Sequence, residues 1–400
     1  MAPVAAPASS RLEQSAYFAL LGFAASLQIS IAAANILLAL TALLWIALLV
    51  TRRERVEVPS MFPPLLAYAA ASLVAAVFSI DPHRSLVDCK QLVLFAIVPI
   101  AYRLFAGRRA LTAVDVIISV AALSAAVGII QFGILKWDDL RQRPHGTLGM
   151  YMTYSGQLML IACLAVARVL FWKRERLWPM LVLPALLVAL ATTASRNAWV
   201  GACTGIAILM LMRDFRLVGI LPVLAAVFIA LAPAQLTDRF YAMFKIEDAS
   251  RQTATTEASV RSNQDRIAMI RSGLRIIRKY PLTGVGPDMV MEVYPVYRDK
   301  DAVNQLNPHL HNVPMQIAAE RGLPALAVWL WFVFALVRDF VRQRRVVAMT
   351  FLPNAALAIV AAMLAAGMFE YNFGDSEFLM LLLLLVTLPY AAARESAPAA

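Results

Sequence analysis

The chain has 400 residues, 61% of them hydrophobic, a mean hydropathy of +0.70 and a net charge of +11. A soluble domain is about 45–50% apolar, which excludes one large soluble core. The apolar runs do not alternate in polarity, which excludes a porin-like barrel. Cys89, Cys163 and Cys203 have no C-x-x-C spacing, so neither a disulfide framework nor a thiolate metal site is indicated. The positive charge is first explained by arginine flanks of membrane spans, ahead of any nucleic-acid surface.

The N-terminal stretch MAPVAAPASSRLEQ lacks a charged start and a cleavage site, so the first span is expected to be retained. Hydropathy and breaker residues predict spans at 16–32, 34–50, 61–79, 91–106, 113–133, 151–171, 178–194, 198–212, 217–234, 323–341, 350–369 and 376–393. The expected fold is all-α: a polytopic membrane protein of about 12 helices with one large, mostly helical outer loop. The chain divides into residues 1–234, the loop 235–322, and residues 323–400. The basic stretches TRRER (51–55), GRR (107–109), WKRER (172–176), RDFR (213–216) and RDFVRQRR (338–345) then share one side. That side is cytoplasmic by the positive-inside rule, and both termini lie there.

The opposite, outer side carries 80–90, 134–150, a tight turn at Ser195–Asn197, the loop 235–322 and 370–375. All four histidines, His83, His145, His309 and His311, fall on it. Residues 235–322 hold 12 Lys/Arg against 10 Asp/Glu. Basic residues in the short outer loops as well point to an anionic ligand there, against the plainer reading of a solvated loop.

Within 261–280, Ile267, Ile270, Leu274 and Ile277 follow helical spacing and make one apolar stripe. Arg271 and Arg275 face away from it, whereas Arg266 and Arg278 lie at its edges. An edge arginine can lay its stem on apolar surface and aim its head into a cleft, which makes Arg266 the better site candidate. In YPLTGVGPD (280–288), Gly284 and Gly286 bracket a turn that either points N–H groups at an anion or simply connects two helices. In HLHNVPMQIAAERG (309–322), Asn312 is the expected N-cap, Pro314 fits the first turn and Gly322 stops the helix. The positive helix end disfavours imidazolium at His311, and a neutral imidazole can take a proton as a general base must. An extended H-L-H segment sends its rings to opposite sides, and no H-E-x-x-H pattern accompanies it, so no metal is expected.

His311-Asn312, nine residues and then Gly322, between a large outer loop and a following span, resembles the signature of the O-antigen ligase and Wzy-type polymerase superfamily. Arg266 followed by YPLTGVGPD is similar to the same domain's arginine helix and turn. SRNAW (195–199) resembles the family's serine–arginine turn, and RPHGTLG (143–149) its second outer-loop segment. Departures occur at Ala325, where many members keep a second glycine or another small or polar residue, and at Met150-Tyr151, where many continue with His-Pro or Asn.

The resemblance implies an all-helical, GT-C-like membrane fold. It implies transfer of a glycan from undecaprenyl pyrophosphate to an acceptor on the periplasmic face of the bacterial inner membrane, without metal or other cofactor. In the ligase branch the acceptor is lipid A–core oligosaccharide. Arg196 and Arg266 would neutralise charge on the leaving pyrophosphate; for Arg196 an interfacial snorkelling role is the alternative. His311 would act either as the base, with inversion at the sugar carbon, or only as a binder. Lys90 and Arg84 could engage pyrophosphate or core phosphates, with a local ion pair to Asp88 an equal reading. Arg143, His145, Tyr154 and Asn312 are further substrate-binding candidates, and Asp81, His83, Glu370 and Asp375 are left without a role. A Wzy-type polymerase or a protein O-oligosaccharyltransferase would share these motifs; moderate length and a single large outer loop favour the ligase. A transporter of polyisoprenoid-linked glycans is the non-enzyme alternative, disfavoured by the lack of an internal repeat.

Overall fold

A computed structural model describes residues 11–137, 142–220, 222, 254–347 and 349–394. Most of the span expected at 217–234, and residues 235–253 of the large loop, lie outside these. The described residues contain helices and no strand. In chain order the helices are α1 (Arg11–Ser26), α2 (Ile31–Arg52), α3 (Phe62–Val77), α4 (Pro82–Asp88), α5 (Ile97–Leu104), α6 (Arg109–Gly133), α7 (Tyr151–Phe171), α8 (Leu177–Thr192), α9 (Arg196–Arg213), α10 (Ala254–Lys279), α11 (Val290–Tyr297), α12 (Val313–Gln343), α13 (Phe351–Gly367) and α14 (Ser376–Ala393). Among the described residues, six stretches are long and apolar enough to cross a membrane: α2, the continuous run Pro82–Leu104, α6, α7, α12 and α14. The chain is thus a polytopic helical membrane protein. Its outward faces agree: Ile36, Leu43 and Val50, seven residues apart on α2, are 68%, 66% and 72% exposed, a row tolerable only against lipid.

Residues 80–90, expected as an outer loop, are largely helical. Asp81 caps α4 by accepting from the Arg84 N–H at 3.1 Å, and Pro82 fills the first turn. A 3-10 segment (Cys89–Ala96) then carries the chain into α5.

α7 is the central helix, buried continuously from Thr153 to Arg168. Beside it, α9 packs on α13 through small residues. A Cβ built on Gly201 would lie 2.8 Å from the Ala362 carbonyl oxygen, and one on Gly205 would lie 2.9 Å from that of Ala358. Membrane helices lack a hydrophobic drive toward one another, so such close backbone approach is what holds them. It matters for function because α9 begins at Arg196 and α13 leads directly into Glu370.

The bundle has two chemically distinct ends. At one, Glu13 receives Arg52 (3.0 Å), Arg109 (3.0 Å) and Arg103 (3.7 Å), which gathers the N-terminal segment and two basic loops. Arg394 pairs there with Glu57. At the other end, Ile80 N–H donates to the Val285 carbonyl and the Ser85 hydroxyl to the Pro287 carbonyl, so the 80–90 segment docks on the turn after α10. A small apolar cluster, including Met269, Ile276, Met289, Tyr294 and Leu310, underlies this second end.

The apolar stripe of α10 is mostly exposed, with only Ile277 packed against the cluster. Ile267, Ile270 and Leu274 are 53%, 42% and 42% exposed, while Ala268, Met269, Ser272 and Ile276 are buried. The reason is steric. A Cβ on Gly273 would come within 2.8 Å of Leu310 and 3.1 Å of Met315, so α10 approaches by its small-residue face. Arg271 and Arg275 are exposed as expected, but pair with Asp301 (3.1 Å) and Asp299 (2.6 Å).

Candidate active site

The site is organised by the entry into α12. Asn312 caps the helix: its Oδ1 accepts from Met315 N–H at 3.0 Å, and its Nδ2 donates to the Met368 carbonyl at 3.2 Å. Both ends of the Asn312 amide therefore have structural partners, which argues for a positioning role in place of the expected substrate contact. Gly322 (φ 81°, ψ 169°) interrupts α12 and separates a short first segment from the long span. A side chain there would run into the Leu282 backbone, so only glycine lets the 280–288 turn close against the break.

Immediately before the cap, His311 holds a left-handed backbone (φ 48°). Its Nδ1 lies 3.0 Å from each carboxylate oxygen of Glu370, in the loop between α13 and α14. Burial pushes the Glu370 carboxyl up. The His311 hydrogen bond, the nearby histidines and the Tyr371 N–H outweigh burial and hold its pKa below the ordinary value. An ionised Glu370 accepts, so in the neutral ring the hydrogen sits on Nδ1 and Nε2 carries the free lone pair. This is the orientation a general base needs. Glu370 had no assigned role from the sequence; the available signal was a carboxylate in a short outer loop on the histidine side.

His309 lies beside this pair. Its ring and that of His311 are 4.2 Å apart at 80°, not on opposite sides as an extended segment would place them. The left-handed residue at 311 turns both rings the same way. Burial, and then repulsion from His311, lower the His309 pKa against the pull of Glu370, so His309 is neutral near pH 7.

Arginines complete the site. Arg266 stacks over Phe369 at 6.0 Å, and its charge is felt by Glu370 in the same loop. Burial lowers its pKa, yet an arginine remains charged at any physiological pH. Arg196, at the first turn of α9, lies close enough to Arg266 and Arg143 for the three charges to repel. Arg143 lies over the Tyr151 ring at 4.3 Å, with its Nε buried and without a hydrogen-bond partner. A cavity of about 190 Å³ opens beside Glu370, lined also by Thr153, Asn197, His309, Tyr371 and Asp375. Arg196 with Arg143 and Arg266 nearby, beside a histidine–carboxylate pair, gathers positive charge suited to a polyanion.

Other predicted residues are placed differently. Arg84 is held by Asp288 (2.9 Å) and Glu292 (2.5 Å), an ion pairing with partners other than the nearby Asp88. Asp88 instead meets Arg321 at 3.3 Å, and Lys90 is exposed. Tyr154 is fully buried and donates to the Ser124 carbonyl at 2.9 Å, a core anchor and not a surface contact. His145 stacks on Trp137 at 4.9 Å, with Nδ1 buried and unpartnered. Gly284 and Gly286 do not form an anion cradle. Their N–H groups donate to the Tyr280 and Glu320 carbonyls, and Val285 N–H donates to Ala319, so the turn is a backbone splice onto α12.

A buried polar chain, unmarked in the sequence, fixes the histidine segment. Gln316 accepts from Leu310 N–H (2.7 Å) and donates to Glu320 (2.8 Å); Glu320 pairs with Arg321 (2.6 Å), which reaches Tyr371 (3.2 Å). Polar groups buried this deeply are stable only when so connected.

No curated protein matches the chain. Residues 181–330, which include Arg196, Arg266, the 280–288 turn and His311, match the family described as O-antigen ligase.

Proposed function

We propose that this chain is an inverting glycosyltransferase of the bacterial inner membrane. It moves O-antigen polysaccharide from undecaprenyl pyrophosphate to lipid A–core oligosaccharide, with the histidine end facing the periplasm and both termini cytoplasmic. The observation that most supports this reading is the placement of Arg196 near Arg143 and Arg266, with Arg266 near the Glu370 that meets His311.

In this reading the arginines bind the donor pyrophosphate and stabilise the charge that grows on it as the sugar–oxygen bond breaks. His311 Nε2 takes the proton of the acceptor hydroxyl while that oxygen bonds to the anomeric carbon from the opposite face. Glu370 holds the ring and balances the imidazolium that forms. Arginine charge does the work that a metal does in other phosphate-leaving reactions, so no cofactor is required.

The test is reconstitution of the purified chain with a carrier-linked glycan, offering each acceptor in turn in the presence of EDTA. Transfer to lipid A–core supports the ligase; transfer only to a second carrier-linked glycan makes the chain a polymerase. His311→Ala is expected to abolish transfer while leaving the melting temperature unchanged. Normal turnover by that variant removes His311 from the mechanism.

A further inference from the structure

His309, His311 and Glu370 have a geometry that the proposed transfer does not require. The left-handed backbone at His311 brings two imidazoles to one side of the chain, 4.2 Å apart, against a single carboxylate. His311 Nδ1 and His309 Nε2 lie 3.0 and 3.8 Å from Glu370 Oε1. One donor atom from each residue lies within 4.8 Å of the other two. Ligand atoms about 2.0–2.1 Å from a tetrahedral ion sit about 3.4 Å apart, so small side-chain shifts suffice. We infer that these three residues bind a divalent first-row transition ion, Zn2+ above all, and that the bound ion switches glycan transfer off.

Two imidazoles with one carboxylate suit Zn2+; Mg2+ and Ca2+ prefer oxygen-rich sets and bind poorly here. The adjoining cavity, lined by His309 and Glu370, admits the ion and leaves room for water as a fourth ligand.

Inhibition follows from the tautomer. In the free protein the hydrogen on His311 Nδ1 points at Glu370 and the Nε2 lone pair is available. An ion on Nδ1 displaces that hydrogen to solvent, and the neutral ring then carries a hydrogen on Nε2, taken from solvent. No proton is gained overall, but the lone pair that would receive the acceptor's proton is gone. Glu370, bound to the ion, no longer orients the ring. The inhibition half rests on the proposed function; the binding half does not.

Two measurements separate them. The full chain in lipid nanodiscs is titrated with Co2+, whose visible absorption reports a low-coordinate nitrogen–oxygen site. One equivalent is expected to bind and to be displaced by Zn2+, with His309→Gln and Glu370→Gln each weakening binding at least about 10-fold. In the transfer assay, micromolar Zn2+ is expected to inhibit the parent chain reversibly. Measured against its own rate in EDTA, His309→Gln is expected to need at least about 10-fold more Zn2+ for the same fractional inhibition. Absence of the Co2+ band, or equal affinity in both variants, overturns the site. Binding without inhibition, or loss of transfer in EDTA, overturns the switch. A chain that binds Co2+ through these residues yet transfers no glycan under any condition overturns the functional reading and leaves the site standing.

Discussion

Glu370→Gln is the most informative single substitution. It preserves size, and its amide can still meet His311 Nδ1 at the 3.0 Å seen for the carboxylate. An amide that donates through its NH₂ group to Nδ1, however, stabilises the tautomer with the hydrogen on Nε2, and no negative charge remains to balance the imidazolium. The whole contribution of a positioned base is then at risk, about 10²–10⁴-fold in kcat. KM for the carrier-linked donor is expected to change little, because the arginines that would bind it are untouched. The assay is initial-rate kinetics in proteoliposomes over a range of donor concentrations, with a parallel melt to exclude unfolding. Glu370→Asp, which keeps the charge but shortens the reach, is expected to retain an intermediate rate. A Gln variant within about twofold of the parent kcat would falsify the orienting role, since the general-base contribution is never that small.

Other expectations follow from the same geometry. Arg266→Lys keeps the charge but loses the planar fork, and is expected to lower kcat by about 10²–10³; full activity in single-turnover measurements would place Arg266 outside the pyrophosphate site. Tyr154→Phe removes only the bond to Ser124, so about 0.5–1.5 kcal/mol of stability should be lost with transfer unchanged. A drop of tenfold in rate without a change in melting would show instead that Tyr154 touches the donor. Gly201→Val, at the α9–α13 crossing, should cost about 1–3 kcal/mol or more through overpacking; an unchanged melt in detergent refutes the close approach. For His309 the sign is set by its lowered pKa in the fold. The unfolded chain binds the proton more readily, so stability is full above pH 6.5 and falls as pH drops below it. His309→Gln should flatten the fall in melting temperature below about pH 6.5, and identical pH profiles would contradict this.

Much of the architecture was legible in the chain itself. Long apolar runs can only be helices in a bilayer, because the backbone must satisfy its own hydrogen bonds there, and basic loops repeated at one end gave the bundle its polarity. The helix at 313 was likewise marked by Asn312, Pro314 and Gly322, since caps and breakers act locally. The 267/270/274/277 periodicity reports which residues share a face but not which face is buried; Gly273 against Leu310 and Met315 decided that.

What tertiary structure alone decided is the partnership of residues distant in sequence. Glu370 meets His311 across 59 positions, and Arg84 meets Asp288 across 204. Tyr154 turned inward because Ser124 offered a carbonyl in the core. The two histidines of H-L-H came together only through a left-handed backbone at 311. That conformation is unfavourable for a residue with a Cβ, so no local rule predicts it. It persists because the Asn312 cap and the Glu370 contact, both supplied by the packing of α12 against the loop after α13, hold it in place.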